Sequence, residues 1–399
     1  MASLNDFRPE FDNAYQEIFQ KALVAKDIMN TRFESKLRFG ESVERVAFDI
    51  SGVLVRAVTR NNNSTIDNVT DTSELLTINL EREAVFRITD GEATQAGPLN
   101  PGQEIGKQIG IKVALDLDGR CFFEVRNATF DFDNGDLTTG TSTGVPITLS
   151  STTVPQMTTR MAAKLRFRNN QEILTNLVFV TDSYGAADVT QFMIGKNIDM
   201  AGAAFKNGYT GDVNNAQLYT SENLSGEATL TSTGVFVDTQ TITINGVVFT
   251  TMTTLGATAG NVLIGANAAA TITNLAALLN APTVTTAQGV ALTNAADLDT
   301  ISRVSAVATS ATVLTINGTG GGRFVLAENQ TNASWSTNML HCYFGKRGAI
   351  DLVVQDMKEA DMRPESLQRA TIVFTHYLAG IRTFSDGARK FLDVLVNAN

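Results

Sequence analysis

The spacing of hydrophobic residues changes several times along the chain, and each spacing predicts a different element. From Asn5 to about Phe33 the apolar residues lie on one side of a helix, which predicts an amphipathic N-terminal arm. The period changes to two around Phe48, and a polar segment from Asn61 to Thr72 separates this strand from a return strand that contains Leu76. The pattern predicts a long two-stranded β-ribbon with a solvated tip.

A long helix is predicted from about Pro101 to Asn127, because apolar residues such as Ile105 and Ile109 recur every four positions. Three glycines within it each lower its intrinsic stability by roughly 1 kcal/mol relative to alanine, so we expect other parts of the chain to pack against it. The segments that follow are a predicted loop from Gly135 to Thr153, a helix from Val154 to Asn170, a buried strand from Asn176 to Asp182 and a helix near Ala186 to Ile194.

The composition of the chain shifts after Ser225. From Glu227 to Trp335 only seven residues are charged, while Thr, Ala, Gly and Asn dominate. The dipeptide Asn245-Gly246 separates two strand-like segments, which is a strong hairpin signal, and Ala266 to Asn280 is a predicted Ala/Leu-rich helix. These features predict a small β-rich domain inserted into the main fold. Charged sequence that we predict to be helical resumes at Lys346 and continues to the end.

Length and charge limit the classes of function. With 399 residues and a formal net charge of −10, the chain is long enough for two or three domains and too acidic to wrap nucleic acid by neutralising phosphates. The two cysteines, Cys121 and Cys342, each lie in an apolar stretch and are predicted to be buried thiols in a reducing cytoplasm. The sequence contains neither a signal peptide nor an apolar run near the ~18–20 residues that span a bilayer, so we expect a cytosolic protein.

Residues able to carry catalysis or to bind a metal are few. His341 and His376 lie in no metal-ligand spacing, and the acidic turn from Asp131 to Asp136 lacks the closing glutamate of a calcium loop. The glycine-rich segment GTGGGR, residues 318–323, lacks the Lys-Ser/Thr pair of a phosphate-binding loop, and no motif joins a nucleophile to a histidine. We therefore expect no cofactor, no metal and no enzymatic activity.

Three passages resemble a known family. KNGYTGDVNNAQLYTSENL, from Lys206 to Leu224, is similar to a signature of tailed-phage coat proteins in which an N-G-x-x-G turn precedes a strand. Phe344 to Asn399 resembles the closing part of the same proteins, where a strand of the I-D-L-V-V-Q type precedes an aromatic-rich strand. Glu74 to Gln95 resembles the second strand of their extended loop. The resemblance is to the tailed-phage, or Hong Kong 97-type, capsid fold, and it implies an α+β chain.

The resemblance also implies a division of the chain. The parts are an N-terminal arm (1–40), an extended β-ribbon loop (41–96), a peripheral domain with a spine helix (97–153), an axial domain (154–225), an inserted β-rich accessory domain (226–336) and the remaining peripheral and axial elements (337–399). No lysine occurs between Glu41 and Ala96, so the lysine–asparagine crosslink of some family members is not expected from this loop.

The function implied by the resemblance is that of a major capsid protein, which forms hexamers and pentamers of an icosahedral shell around double-stranded DNA. Expected partners are other copies of the chain, a scaffold protein, the portal and, where one is present, a decoration protein. No sequence-specific DNA binding and no membrane are expected, and the virion shell would be assembled in the cytoplasm of the host bacterium. The residues predicted to make contacts between subunits are Phe11, Tyr15, Arg45, Phe48, Arg56, Arg60, Leu76, Glu81 and Arg82.

Two other functions stay open at this point. An encapsulin-like compartment would use the same fold to enclose enzyme cargo, although the arm and the large insert argue against it. A tail or surface-adhesion protein is suggested by the Thr/Asn/Ala-rich insert, and it would form trimers or fibres rather than closed shells.

Overall fold

The structure, a computed structural model, describes residues 11–15, 17–18, 23–33, 42–49, 53–57, 66–89, 101–168, 175–195, 209–213, 216–364 and 370–398. Helices and strands alternate irregularly through these residues, which confirms the α+β class.

The helices of the described residues are α1 (Ala25–Ile28), α2 (Pro101–Phe123), α3 (Asn134–Thr138), α4 (Thr153–Arg168), α5 (Ser183–Gly195), α6 (Ala268–Asn280) and α7 (Ala295–Ile301). Residues 11–15 and 17–18 are also helical, and a 3-10 turn, Glu124–Asn127, extends α2. The strands up to the insert are β1 (Ser42–Asp49), β2 (Thr70–Thr77), β3 (Leu80–Thr89), β4 (Asp131–Phe132), β5 (Leu177–Thr181), β6 (Tyr209–Val213), β7 (Ala216–Thr220) and β8 (Ser225–Ser232). The strands that follow are β9 (Thr241–Ile244), β10 (Val247–Met252), β11 (Asn261–Leu263), β12 (Val304–Ser310), β13 (Val313–Gly318), β14 (Leu326–Glu328), β15 (Ala333–Lys346), β16 (Asp351–Pro364), β17 (Ala370–Arg382) and β18 (Phe391–Asn397).

These strands form four sheets in the described part of the chain. The largest runs β12-β13-β8-β15-β5-β7-β6, with β18 paired to β15 and β4 paired to β18. A three-stranded sheet runs β16-β17-β3, a four-stranded sheet runs β11-β10-β9-β14, and β1 pairs with β2 alone. The order shows that β8 and β15 join the main body and the insert in one continuous sheet.

Helix α2 lies against the N-terminal arm in the main core. A Cβ atom added to Gly106 would lie 2.7 Å from the carbonyl oxygen of Phe11, and one added to Gly110 would lie 2.9 Å from that of Tyr15. The glycines therefore let the two backbones approach. The prediction that α2 depends on packing partners is confirmed, and one partner is the arm.

The arm is not the single helix predicted from Asn5 to Phe33. A separate short helix, α1, begins at Ala25, and Met29 is already extended. The reason is tertiary hydrogen bonding. The Asp118 carboxylate accepts the backbone N–H groups of Val24 and Ala25 at 3.0 Å each, and the backbone of Asn30 pairs with that of Ile350 and Leu352 at 2.8 and 3.0 Å.

Three further predictions of secondary structure are wrong. The chain after Lys346 is not helical as predicted: it forms β16, β17 and β18, as the family resemblance implies. Burial alternates along β17, which is the period of a strand, and β18 is almost wholly buried. The predicted return strand of the ribbon divides into β2 and β3, because β3 pairs with β17. The predicted loop from Gly135 to Thr153 contains α3, which Asp133 caps.

The insert has a hydrophobic core of its own, separate from the main core. The Asn245-Gly246 turn forms as predicted, with φ values of 51° and 85°, and it joins β9 to β10. Helix α6 also forms as predicted and is capped by Asn267. The predicted boundaries of the insert, residues 226 and 336, fall inside β8 and β15. Continuous strands rather than linkers therefore join the insert to the body.

Candidate assembly surface

The base of the ribbon is fixed to the C-terminal part of the chain. Strands β1 and β2 are antiparallel in register from Ser42–Thr77 to Asp49–Thr70. The Arg45 guanidinium on β1 lies 2.5 Å from the Asp386 carboxylate and 3.5 Å from that of Asp351, and it stacks over the Phe384 ring at 5.1 Å.

Strand β2 is held on the same side. The Leu76 side chain is fully buried in a small cluster with Ile78, Val353 and Phe384. The Arg382 guanidinium donates to the Leu75 carbonyl at 2.5 Å. The ribbon therefore leaves the body from a rigid base.

Toward the tip, residues 53–57 and 66–69 lie together. The two terminal nitrogens of Arg56 donate to the two carboxylate oxygens of Asp67 at 2.7 Å each, and the Leu54 N–H donates to the same carboxylate at 2.9 Å. The hydrogen bond from Arg56 and that from Leu54 lower the pKa of Asp67. This charge-assisted fork joins the outgoing and returning segments.

The described residues of the ribbon expose several aliphatic side chains, three of which, Val53, Leu54 and Val55, are consecutive in the chain. Single exposed hydrophobic residues are normal, but contiguous apolar surface marks an interaction site. Of the seventeen exposed large hydrophobic residues in the described chain, seven lie between residues 46 and 75. We call these seven the ribbon patch: Val46, Val53, Leu54, Val55, Ile66, Val69 and Leu75. Val55 is fully exposed and Ile66 is 87% exposed.

The nine residues predicted to contact other subunits are placed differently from one another. Phe11, Tyr15 and Leu76 are buried in the chain's own cores, because the arm packs on α2 and β2 packs on Phe384. The Arg45 and Arg56 side chains form the intrachain ion pairs described above.

Of the other four predicted contact residues, Glu81 and Arg82 lie on β3. The Arg82 guanidinium is 3.4 Å from the Asp116 carboxylate, and Glu81 is 2.9 Å from the His376 ring. Phe48 lies in β1 opposite Asp71, and its side chain is outside the described set, as is Arg60 altogether. Arg45, Arg56 and Leu76 fix the ribbon, whereas no member of the ribbon patch is among the predicted contact residues. The β-branched run through Val53 and Val55 is the sequence signal that could have identified the patch.

Two buried carboxyl groups hold the arm and the ribbon base. Burial raises the pKa of Asp118 to about 7, against the opposing effect of the hydrogen bonds from Ala25 and Val24. Burial likewise raises the pKa of Asp351 to about 6, with Asn30 and Arg45 opposing it. The Asn30 side-chain amide donates to Asp351, so this carboxylate joins the arm, the ribbon base and β16.

A serine, a histidine and an aspartate meet on one face of the large sheet, an arrangement that sequence motifs did not reveal. Ser225 on β8 lies directly opposite His341 on β15, and the His341 Nδ1 atom is 2.6 Å from the Asp393 carboxylate. All three are buried, and the Ser225 hydroxyl makes no hydrogen bond to the histidine among the described residues. A nucleophile needs both the base and access to substrate. The group therefore suits a structural role.

Other chemistry is equally limited in the described residues. The thiols of Cys121 and Cys342 are both free and buried, as predicted. No cluster of three or more metal-ligating side chains occurs among the residues described. Within the same residues, no helix has the length and apolar character needed to cross a membrane.

Comparison with known proteins gave matches in structure alone. No protein-family model and no curated protein matches the chain. The structure is similar to one from Mycobacterium phage Che8, with 11% identity, 94% of this chain and 91% of that chain covered, and a TM-score of 0.47. It is similar to the capsid of Ralstonia phage GP4, with 8% identity, coverage of 90% and 84%, and a TM-score of 0.46. It is also similar to the capsid of the cyanophage P-SCSP1u, with 9% identity, coverage of 94% and 89%, and a TM-score of 0.47.

Proposed function

We propose that this chain is a major capsid protein of a tailed bacteriophage, which assembles as hexamers and pentamers into an icosahedral shell around double-stranded DNA. The observation that carries the proposal is the ribbon patch. Val46 and Leu75 lie on the paired strands β1 and β2, the other five members lie in the chain between these strands, and all seven side chains are at least 44% exposed.

An isolated two-stranded ribbon is marginally stable in water, and exposed aliphatic surface favours burial against another molecule. A projecting element that meets a different surface on the next copy makes a heterologous contact, which closes into rings when the rotation permits. Stable assemblies bury ~2,000 Å² or more at each interface, an area that a ribbon added to the subunit edges can help to supply.

The division of the chain given by the family resemblance stays part of this proposal. The arm, the ribbon and the spine helix α2 would serve as separate contact elements of one subunit, and the insert would be an accessory domain. A scaffold protein, a portal and, where present, a decoration protein would be its partners. With a net charge of −10, the chain would enclose DNA without general or sequence-specific binding. Assembly would take place in the host cytoplasm, and the virion shell would be the final location.

Electron microscopy of matched variants tests the proposal. The purified chain, alone and co-expressed with a candidate scaffold protein, is expected to form closed shells or tubes. The double variant Val55→Ser/Ile66→Ser removes the two most exposed members of the ribbon patch. It should stay folded and lose assembly.

The matched control is Val284→Ser/Val325→Ser, which changes two exposed valines of the insert, at 53% and 70% exposure. It should assemble as the unaltered chain does. Discrete monomers or trimers of the unaltered chain under both conditions, or normal shells from the ribbon variant, would overturn the proposal.

A further inference from the structure

The glycine-rich segment at residues 318–323, which we call the clasp loop, lies where the insert meets the body. Gly320, Gly321 and Gly322 all have left-handed φ values, of 84°, 87° and 65°. The Gly322 N–H donates to the Leu224 carbonyl at 3.1 Å, just outside the insert. The loop therefore faces the main body rather than solvent alone.

The clasp loop touches α2 backbone to backbone. A Cβ atom added to Gly320 would lie 2.9 Å from the Cα of Gly119, and one added to Gly119 would lie 2.7 Å from the Cα of Gly320. Neither residue can carry a side chain without moving a backbone. In contrast, a Cβ atom on the adjacent Gly321 would meet nothing within 4 Å.

The last residue of the loop holds the body at a second point. The Arg323 guanidinium pairs with Asp182, which is fully buried, and one of these contacts measures 3.2 Å. The same carboxylate accepts the Gly185 N–H at 2.9 Å at the start of α5, and Arg323 lies over the Tyr184 ring at 5.3 Å. Arg323 of the insert therefore pairs with the carboxylate that caps the first turn of α5.

Two more ion pairs link the insert to α2 and its extension. Arg126 pairs with Glu227 on β8 and donates to the Asn317 side chain at 2.6 Å. Lys112 on α2 lies 3.2 Å from Asp299 on α7. The contacts of Arg126 are partly buried, whereas the Lys112 pair is exposed and contributes little.

From these contacts we infer that the clasp loop fixes the insert to both α2 and α5, so that the insert and the body form one cooperatively folded unit. The insert has its own core and is joined to the body through β8 and β15, so that without the clasp loop its core could unfold separately from the main core. Through the clasp loop, a displacement of the insert is transmitted to the spine helix α2 and to helix α5. The inference concerns the single subunit and does not depend on the proposed shell.

Two neighbouring glycines provide a matched test in the unassembled chain. Asn tolerates a left-handed φ better than other non-glycine residues do. Gly320→Asn and Gly321→Asn therefore cause similar backbone strain, since both positions have φ near 85°. The Gly320→Asn side chain meets Gly119, while the Gly321→Asn side chain enters open space. Calorimetry should give one unfolding transition for the unaltered chain and for Gly321→Asn. With Gly320→Asn, the insert transition should separate from that of the body.

Amide hydrogen exchange gives an independent readout. Exchange of the slowest amides of the insert should be about tenfold or more faster in Gly320→Asn than in Gly321→Asn, as overpacking against backbone predicts. Arg323→Gln should accelerate exchange in the first turn of α5 as well as in the insert. Equal behaviour of the two asparagine variants, or a separate insert transition already present in the unaltered chain, would overturn the inference.

Discussion

Replacing the buried Asp118 with asparagine should change how stability depends on pH. Asp118 has no solvent exposure, and its carboxylate accepts the N–H groups of Val24 and Ala25 at the start of α1. A folded-state pKa of about 7 lies well above the ordinary value of 3.8. When Asp118 is ionised in both the folded and the unfolded chain, this pKa difference lowers the free energy of unfolding by a value on the order of 4 kcal/mol.

The direction of the pH dependence of stability follows from which state binds the proton of Asp118. Between pH 4 and pH 7 the unfolded chain has lost the proton of Asp118 while the folded chain keeps it. The contribution of this group to stability is therefore fully present below about pH 4, falls as the pH rises, and is constant above about pH 7. Asp118→Asn removes the titration and leaves one N–H of the arm without an acceptor, at a cost of about 1–3 kcal/mol.

The assay is urea unfolding of the unassembled chain between pH 4.5 and pH 8. At pH 4.5 the Asp118→Asn variant should be less stable than the unaltered chain, and the difference should shrink or reverse by pH 8. The exposed Glu328→Gln substitution serves as the control and should give a constant difference. A constant difference for Asp118→Asn across this range would refute the argument.

Three further predictions concern packing, turn geometry and thiol access. Gly106→Ala should lower the free energy of unfolding by about 1–3 kcal/mol in urea, although alanine favours helix, because its Cβ meets the arm backbone; a stabilised variant would contradict this. Asn245→Ala should lower the free energy of unfolding by about 1–2 kcal/mol, because alanine is strained at this left-handed φ and cannot accept the Val325 N–H, which now donates to Asn245 at 2.8 Å. Asn245→Gly should lower the free energy of unfolding by less, because glycine adopts this φ without strain. Cys121 and Cys342 should react with a thiol reagent only after denaturation, because both are fully buried, and rapid labelling of the native chain would contradict this.

Patterns over a few neighbouring residues predict the elements that form mainly through local interactions. Helix α2, helix α6 and the hairpin at Asn245-Gly246 form where the sequence places them, because side-chain periodicity, capping residues and turn residues act over a few positions. The buried strand β5 was predictable for the same reason, since it is a short continuous apolar run. The low charge of residues 226–336 predicts an inserted domain, and the buried residues of this range share a hydrophobic core.

Only the tertiary structure decided which faces of these elements are covered. The predicted arm helix is interrupted because a carboxylate some 90 residues away accepts its backbone N–H groups. Leu76 and Val55 look alike in sequence, yet one is buried by Phe384 and the other is fully exposed. Burial is a sum over contacts that are distant in sequence, so periodicity can place a residue on a face but cannot say whether anything packs against that face.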